Sequence, residues 1–278
     1  MRKRIFDLFS QPRLTKYCRR GAKRAEYECL VRYLASTKRA ESLYYPLHLV
    51  EVALRNAIYN AYALYYPQGS FFDLYNERHY TRHEFHSREC WKMILGARRA
   101  LDRRGESIND NKLIAELNFG FWVKLFESNH PNYTNMWRKI FCDVFQNYPS
   151  CKNIRIDSAK QEIGSKLDEI RKLRNRVFHY EPIGSLDTDR LYKDMELIVG
   201  WIEQDMQNLM RLSEYPRHRW DEKCIEKTLR LPGWRWKKRE MDREDSRYFE
   251  KLFFRVFDKH RSFYRACIDL ILLKKDHQ

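Results

Sequence analysis

Between Arg171 and Ile183 the chain reads Arg-Lys-Leu-Arg-Asn-Arg-Val-Phe-His-Tyr-Glu-Pro-Ile, which packs four cations, one imidazole and a helix stop into a short span. Those residue types suit cleavage of an RNA backbone. A 2′-hydroxyl that attacks its neighbouring phosphate must lose a proton, the leaving 5′-oxygen must gain one, and the phosphorane between them carries extra negative charge. His179 is the candidate for proton transfer, because an imidazole titrates near neutrality. Arg174, permanently charged and able to donate two hydrogen bonds to one phosphate, suits stabilisation of that charge. Asn175 could orient either group, and Arg171, Lys172 and Arg176 are candidate RNA contacts. On an unbroken helix Arg174 and His179 point roughly 140° apart with a rise of about 7.5 Å, so one chain by itself would hold them apart. By spacing alone a plainer role fits as well: Arg174 pairs with Glu51 or Glu181, and His179 ends the helix.

The elements that must position these residues read as helices. Glycine (9 residues) and proline (8) are scarce and lie mostly between segments of helical periodicity, so the expected fold is all-α. Helices are predicted over 22–36 and 43–65, the second closed by Tyr66-Pro67-Gln68-Gly69, then over 83–104 and 111–127. Loops are expected at Ser128–Asn132 and Asn147–Asn153. From Asp157 the apolar residues Ile163, Leu167, Ile170, Leu173 and Val177 recur at spacings of three and four, with Asp157 or Ser158 as a cap and an end near His179 imposed by Pro182. A helix over 187–212 follows, with Leu191, Met195, Ile198, Trp201, Ile202 and Met206 on its buried side. The core domain is expected to span 1–212, with 213–278 a basic extension ending in an amphipathic helix that carries Phe249, Leu252, Phe253, Val256, Phe257, Tyr264, Cys267 and Ile268.

Arg-Asn-Arg-Val-Phe-His-Tyr-Glu-Pro-Ile at 174–183 resembles the C-terminal signature of abortive-infection (Abi) proteins of the AbiD/AbiF type in the HEPN superfamily. Leu47-His48-Leu49-Val50-Glu51-Val52-Ala53-Leu54-Arg55-Asn56-Ala57-Ile58 is similar to that family's N-terminal helix, and Leu113-Ile114-Ala115-Glu116-Leu117-Asn118-Phe119-Gly120-Phe121-Trp122 to its middle block. The three blocks stand in the family's order and cover about residues 30–210. The resemblance implies a HEPN-type helical bundle that forms a homodimer, with two Arg-x4-His motifs facing one groove in a composite active site. It further implies cleavage of RNA to 2′,3′-cyclic phosphate ends with no metal or other cofactor, by a toxin or phage-defence effector, with an antitoxin or a structured RNA as the candidate regulator. Glu51, Arg55 and Asn56 would orient Arg174 or His179 from behind, although Glu51 and Arg55, four apart, also suit an ordinary intrahelical pair. Phe119, Phe121 and Trp122 read as core, and Gly120 as a point of close helix approach.

The charge agrees with a polyanionic partner. Of 278 residues 54 are Lys or Arg against 38 Asp or Glu, a formal net charge of +16, which attracts nucleic acid in a salt-sensitive way. Trp234-Arg235-Trp236-Lys237-Lys238-Arg239 interleaves aromatics with cations, a mix that stacks bases and neutralises phosphates. The first 40 residues hold 12 Lys or Arg against three acids and offer a second footprint. No apolar run is long enough to span a membrane. Met1–Ser10 lacks the apolar stretch of a secretory signal, so the cytoplasm is the expected compartment. The seven cysteines are odd in number and never spaced Cys-x-x-Cys, which points to reduced thiols. His79, His83, His86 and Cys90 share one helical face and could hold zinc, but they extend about 16 Å along the axis and are ringed by arginines. Two rival readings are a non-catalytic RNA-binding or adaptor protein and, ranked last, a zinc enzyme at that cluster.

Overall fold

The computed structural model describes residues 8–9, 11–18, 25–68, 70–72, 85–127, 131–149, 151, 155–212, 223 and 225, the side chains of 11, 25–27, 85–87 and 131–132 excepted. The chain divides into two units, 1–221 and 222–278, and all that follows concerns the first. Among the described residues there are nine α-helices and no strand, so the all-α expectation holds at that level. They are α1 (Gln11–Thr15), α2 (Ala25–Tyr65), α3 (Phe85–Arg103), α4 (Asp110–Glu116), α5 (Phe119–Glu127), α6 (Pro131–Val144), α7 (Ile156–Phe178), α8 (Thr188–Ile202) and α9 (Gln204–Met210).

The 41-residue α2 is the spine, packed along its length by α1, α5, α6, α7, α8 and α9. The sequence suggested two helices here, yet the chain runs unbroken through Pro46. Proline in a helix interior forfeits one backbone bond and crowds the preceding turn, at about 3 kcal/mol. Leu43, Leu47, Val50, Leu54 and Ile58 on either side of it are all but inaccessible to solvent. Burying an aliphatic side chain contributes about 1.5–3 kcal/mol each, so packing outweighs the local penalty.

Two other predicted helices are split in the structure. At 111–127 the break falls at Leu117 (ψ 130°), and Asn118 accepts the backbone N–H of Phe121 through Oδ1 at 3.2 Å, starting α5. An asparagine read as helix interior is in fact a cap. At 187–212 the break is Glu203 (φ −155°, ψ 126°). The carbonyls of Gly200 and Trp201, which a continuing helix would use, are taken by the Asn147 side chain at 3.1 Å and backbone N–H at 2.9 Å. Of the expected inner face, Leu191, Met195, Ile198, Trp201 and Ile202 are buried, while Met206 beyond the break is half-buried. The start of α7 also differs: its N-cap is Arg155, with no side-chain cap bond, and Asp157 instead sits in the first turn, where a carboxylate favours the helix dipole.

Phe119, Phe121 and Trp122 are core, at most 2% exposed, and Phe121 and Trp122 pack in an aromatic cluster with Phe71 and Phe72. The tight approach of α5 to α7 lies at Gly164, where a Cβ would come within 2.9 Å of Phe126 Cβ. At Gly120 it would meet only the Asn118 side chain at 3.0 Å and that of Arg171 at 3.7 Å, so Gly120 is not where two helix backbones close.

The expectation of reduced cysteines is corrected by two disulfides, Cys18–Cys29 and Cys142–Cys151. The first joins Cys18, just after α1, to Cys29 within α2, and the second joins Cys142 within α6 to Cys151 beyond its end, with Cα separations of 4.7 and 5.9 Å. Their members stand 11 and 9 residues apart, far from Cys-x-x-Cys spacing, so that pattern does not reveal them. Among the described residues no helix is long and apolar enough to cross a membrane.

Candidate functional site

The C-terminal end of α7 meets the middle of α2, and this junction carries the residues singled out above. Leu167, Ile170, Leu173 and Val177 bury one face of α7, which turns Arg174 and Phe178 toward the flank of α2. Arg174 Nε lies 3.6 Å from Glu51 Oε2, with side-chain exposures of 24% and 19%, so solvent screens the pair only in part. The guanidinium carbon stands 4.3 Å from the centre of the Phe178 ring, a cation–π contact. Phe178 in turn packs on Tyr44 of α2 at 5.3 Å between ring centres. The pairing of Arg174 with Glu51 is therefore real. It is an ion pair longer than a hydrogen bond, and among the described residues the Arg174 side chain donates no hydrogen bond. Arg55, one turn beyond Glu51, likewise keeps a buried Nε with no hydrogen-bond partner. Asn56 is exposed.

Tyr44, His48, Glu51 and Arg55 follow at spacings of four, three and four, which puts them on one face of α2. Tyr44 and Glu51 both touch α7, so the exposed His48 lies one turn from each contact. The sequence reading passed over His48 as part of a helical block. The available signal was its spacing from Glu51.

His179 is exposed and caps α7 (φ −94°, ψ 8°), its backbone N–H bonded to the Asn175 carbonyl at 2.9 Å. The next residue, Tyr180, has φ 56°, the one positive value for a non-glycine among the described residues. Its N–H bonds the Val177 carbonyl at 3.2 Å, and the Glu181 N–H reaches back to Arg176 at 2.8 Å. That pair of bonds is a Schellman end, with a tyrosine where glycine is usual. Arg176 steadies the exit through a weak bond from Nη1 to the Pro182 carbonyl at 3.4 Å. Because the helix stays regular to Phe178, Arg174 and His179 remain on different sides of it. No hydrogen bond or ion pair joins them. Asn175 is half-buried, and among the described residues its side chain makes no hydrogen bond.

Of the expected RNA contacts, Arg171 and Lys172 both bind Asp168, at 2.5 and 2.7 Å. Burial pushes the Asp168 carboxyl up, but the hydrogen bonds from Lys172 and Arg171 outweigh it and hold the group below its usual range. The two cations are thus partly neutralised from within. Trp234, Arg235, Trp236, Lys237, Lys238 and Arg239 lie outside the described residues, as do the predicted C-terminal helix and most of the basic residues before Ala25. So do His79, His83 and the side chain of His86. Cys90 is 1% exposed, and burial pushes its thiol up to about 12, which makes it a poor source of metal-binding thiolate. Among the described residues no group of three or more His, Cys, Asp or Glu is placed to hold a metal ion.

What the junction offers chemically is a cation with hydrogen-bond donors in reserve, exposed aromatic rings and two exposed imidazoles. No protein family, curated protein or solved structure matches the chain.

Proposed function

We propose that this protein is a metal-independent endoribonuclease of the HEPN type, acting as a toxin or abortive-infection effector and leaving 2′,3′-cyclic phosphate ends. The observation that supports this reading most is Arg174, held by Glu51 through its buried Nε and by the Phe178 ring, with its terminal Nη groups making no hydrogen bond among the described residues. His179 serves proton transfer, and Asn175 orients the reacting groups. The separation of Arg174 from His179 on one helix favours a homodimer in which His179 of one protomer works beside Arg174 of the other. His48, exposed on the α2 face beside Glu51, is the second imidazole within reach of the same region.

The test is incubation of wild type, His179→Ala and Arg174→Ala with a mixed RNA pool in EDTA, followed by end-group analysis. Loss of a general acid or base typically costs about 10²- to 10⁴-fold, so His179→Ala should leave almost no cleavage. Arg174→Ala should lose cleavage more than it loses binding. Full activity in His179→Ala would overturn the assignment. The rival reading, a non-catalytic RNA-binding or adaptor protein, has one observation in its favour, the lack of any Arg174–His179 contact within the chain. RNA binding by all three proteins that weakens steeply with salt, with no cleavage by any, would establish it.

A further inference from the structure

A cavity of about 280 Å³ opens beside the end of α7, and nothing in the proposed chemistry uses it. Its floor is Tyr17, Ser36 and Val177, all buried, and Tyr33 meets Tyr17 edge to face at 5.4 Å. Its rim is exposed and of a different character: Tyr44, Tyr180, Glu41 and Glu181. Val177, Tyr180 and Glu181 bracket His179 in the chain, so the cavity opens at the helix end that carries that residue, although His179 does not line it.

The lining selects among ligands. The volume lies near the lower end of the ~300–1,000 Å³ typical of ligand pockets, enough for one planar ring system. Tyrosine walls favour a flat π-face, as in the stacking platforms of single-stranded RNA binders. Two carboxylates at the mouth repel a phosphate and accept hydrogen bonds from a ring edge that carries N–H donors. Glu181 has no side-chain partner among the described residues, and Glu41 is tied only to the exposed Lys38 at 2.8 Å, a surface pair worth little. Guanine offers a single carboxylate two parallel donors, from its ring N–H and its amino group. Uracil offers one N–H flanked by two carbonyls that a carboxylate repels.

We infer that this cavity is a base-specificity pocket that takes a guanine, stacked between the tyrosines and bonded at its edge by Glu181. The inference rests on the nuclease reading only for the source of that base, a nucleotide of the RNA being cut.

Calorimetric titration of the full chain with guanosine, uridine and inorganic phosphate separates base from phosphate recognition. Guanosine should bind and the other two should not compete with it. Glu181→Gln replaces a charged acceptor by a neutral one, and the preference for guanosine should fall about tenfold or more. Tyr180→Gly removes one wall at a position that glycine suits, and should weaken guanosine about fivefold or more. Guanosine binding no tighter than uridine, competition by phosphate, or an unchanged preference in Glu181→Gln each overturn the pocket. A short oligouridine with one guanine, compared with plain oligouridine, tells an RNA base from a free nucleotide: tighter binding of the first supports the RNA source, and equal binding with guanosine still selected assigns the pocket to a free nucleoside or nucleotide. Guanine-blind binding with His179-dependent cleavage would remove the pocket and leave the nuclease. Guanosine-selective binding by a chain that cleaves nothing would do the reverse.

Discussion

Replacing Tyr180 by glycine should stabilise this protein. Tyr180 sits at φ 56° because the two backbone bonds that close α7 require a left-handed residue there. A residue with a Cβ pays about 1–2 kcal/mol in that conformation. Glycine removes the penalty but loses about 0.5–1 kcal/mol through the extra freedom of the unfolded chain. At 73% exposure the tyrosine ring buries little area, so its removal subtracts little. The balance is about 0–1.5 kcal/mol in favour of Tyr180→Gly, centred on ~0.75 kcal/mol, or a rise in Tm of up to about 6 °C for a unit of this size. Tyr180→Ala is the control, since it discards the ring and keeps the Cβ. Thermal melts followed by circular dichroism should rank Tyr180→Gly above both wild type and Tyr180→Ala. If glycine proves no more stable than alanine, the left-handed end of α7 is not strained and the reasoning fails. A strained residue next to His179 that nature leaves as tyrosine fits a side chain kept for binding, so the stabilised variant should bind guanosine less well.

Three further outcomes follow from the same contacts. Glu51→Gln leaves Arg174 as a partly buried cation without its ion pair, and should cost about 1–2 kcal/mol in urea denaturation; unchanged stability would mean that Glu51 does not hold Arg174. Asp168 is held below the usual carboxylate range, so its contribution is fully present above that range and is lost as pH falls through the lowered value. The stability difference between wild type and Asp168→Asn should therefore shrink on acidification, and Asp168→Asn, by freeing Arg171 and Lys172, should bind RNA more tightly with a steeper salt dependence; a pH-independent difference would contradict the pairing. Gly164→Ala drives a methyl group into Phe126 and should destabilise by about 1–3 kcal/mol, whereas Gly96→Ala, with nothing within 4 Å of its added carbon, should gain about 0.8–1 kcal/mol of helix propensity; equal effects in the two variants would refute the close approach of α5 to α7.

The sequence by itself determined the helical class, the stretch from Asp157 to His179 as one amphipathic helix, and its stop before Pro182. These are local matters, since apolar spacing and the backbone restriction before a proline act within a few residues. It also pointed to Glu51 as a partner for Arg174. Tertiary structure decided the rest. Whether Pro46 breaks α2 depends on what Leu43 and Leu47 bury against, and whether α8 continues past Ile202 depends on Asn147, which lies far away in the chain and takes the carbonyls. The site divides in the same way. The neutralisation of Arg171 and Lys172 by Asp168 and the stacking of Arg174 on Phe178 join residues three or four apart on α7 and are local, while the packing of Phe178 on Tyr44 needs α2 laid against α7. The tyrosine-lined cavity draws on three separate segments, and no periodicity in one of them encodes the space they leave between them.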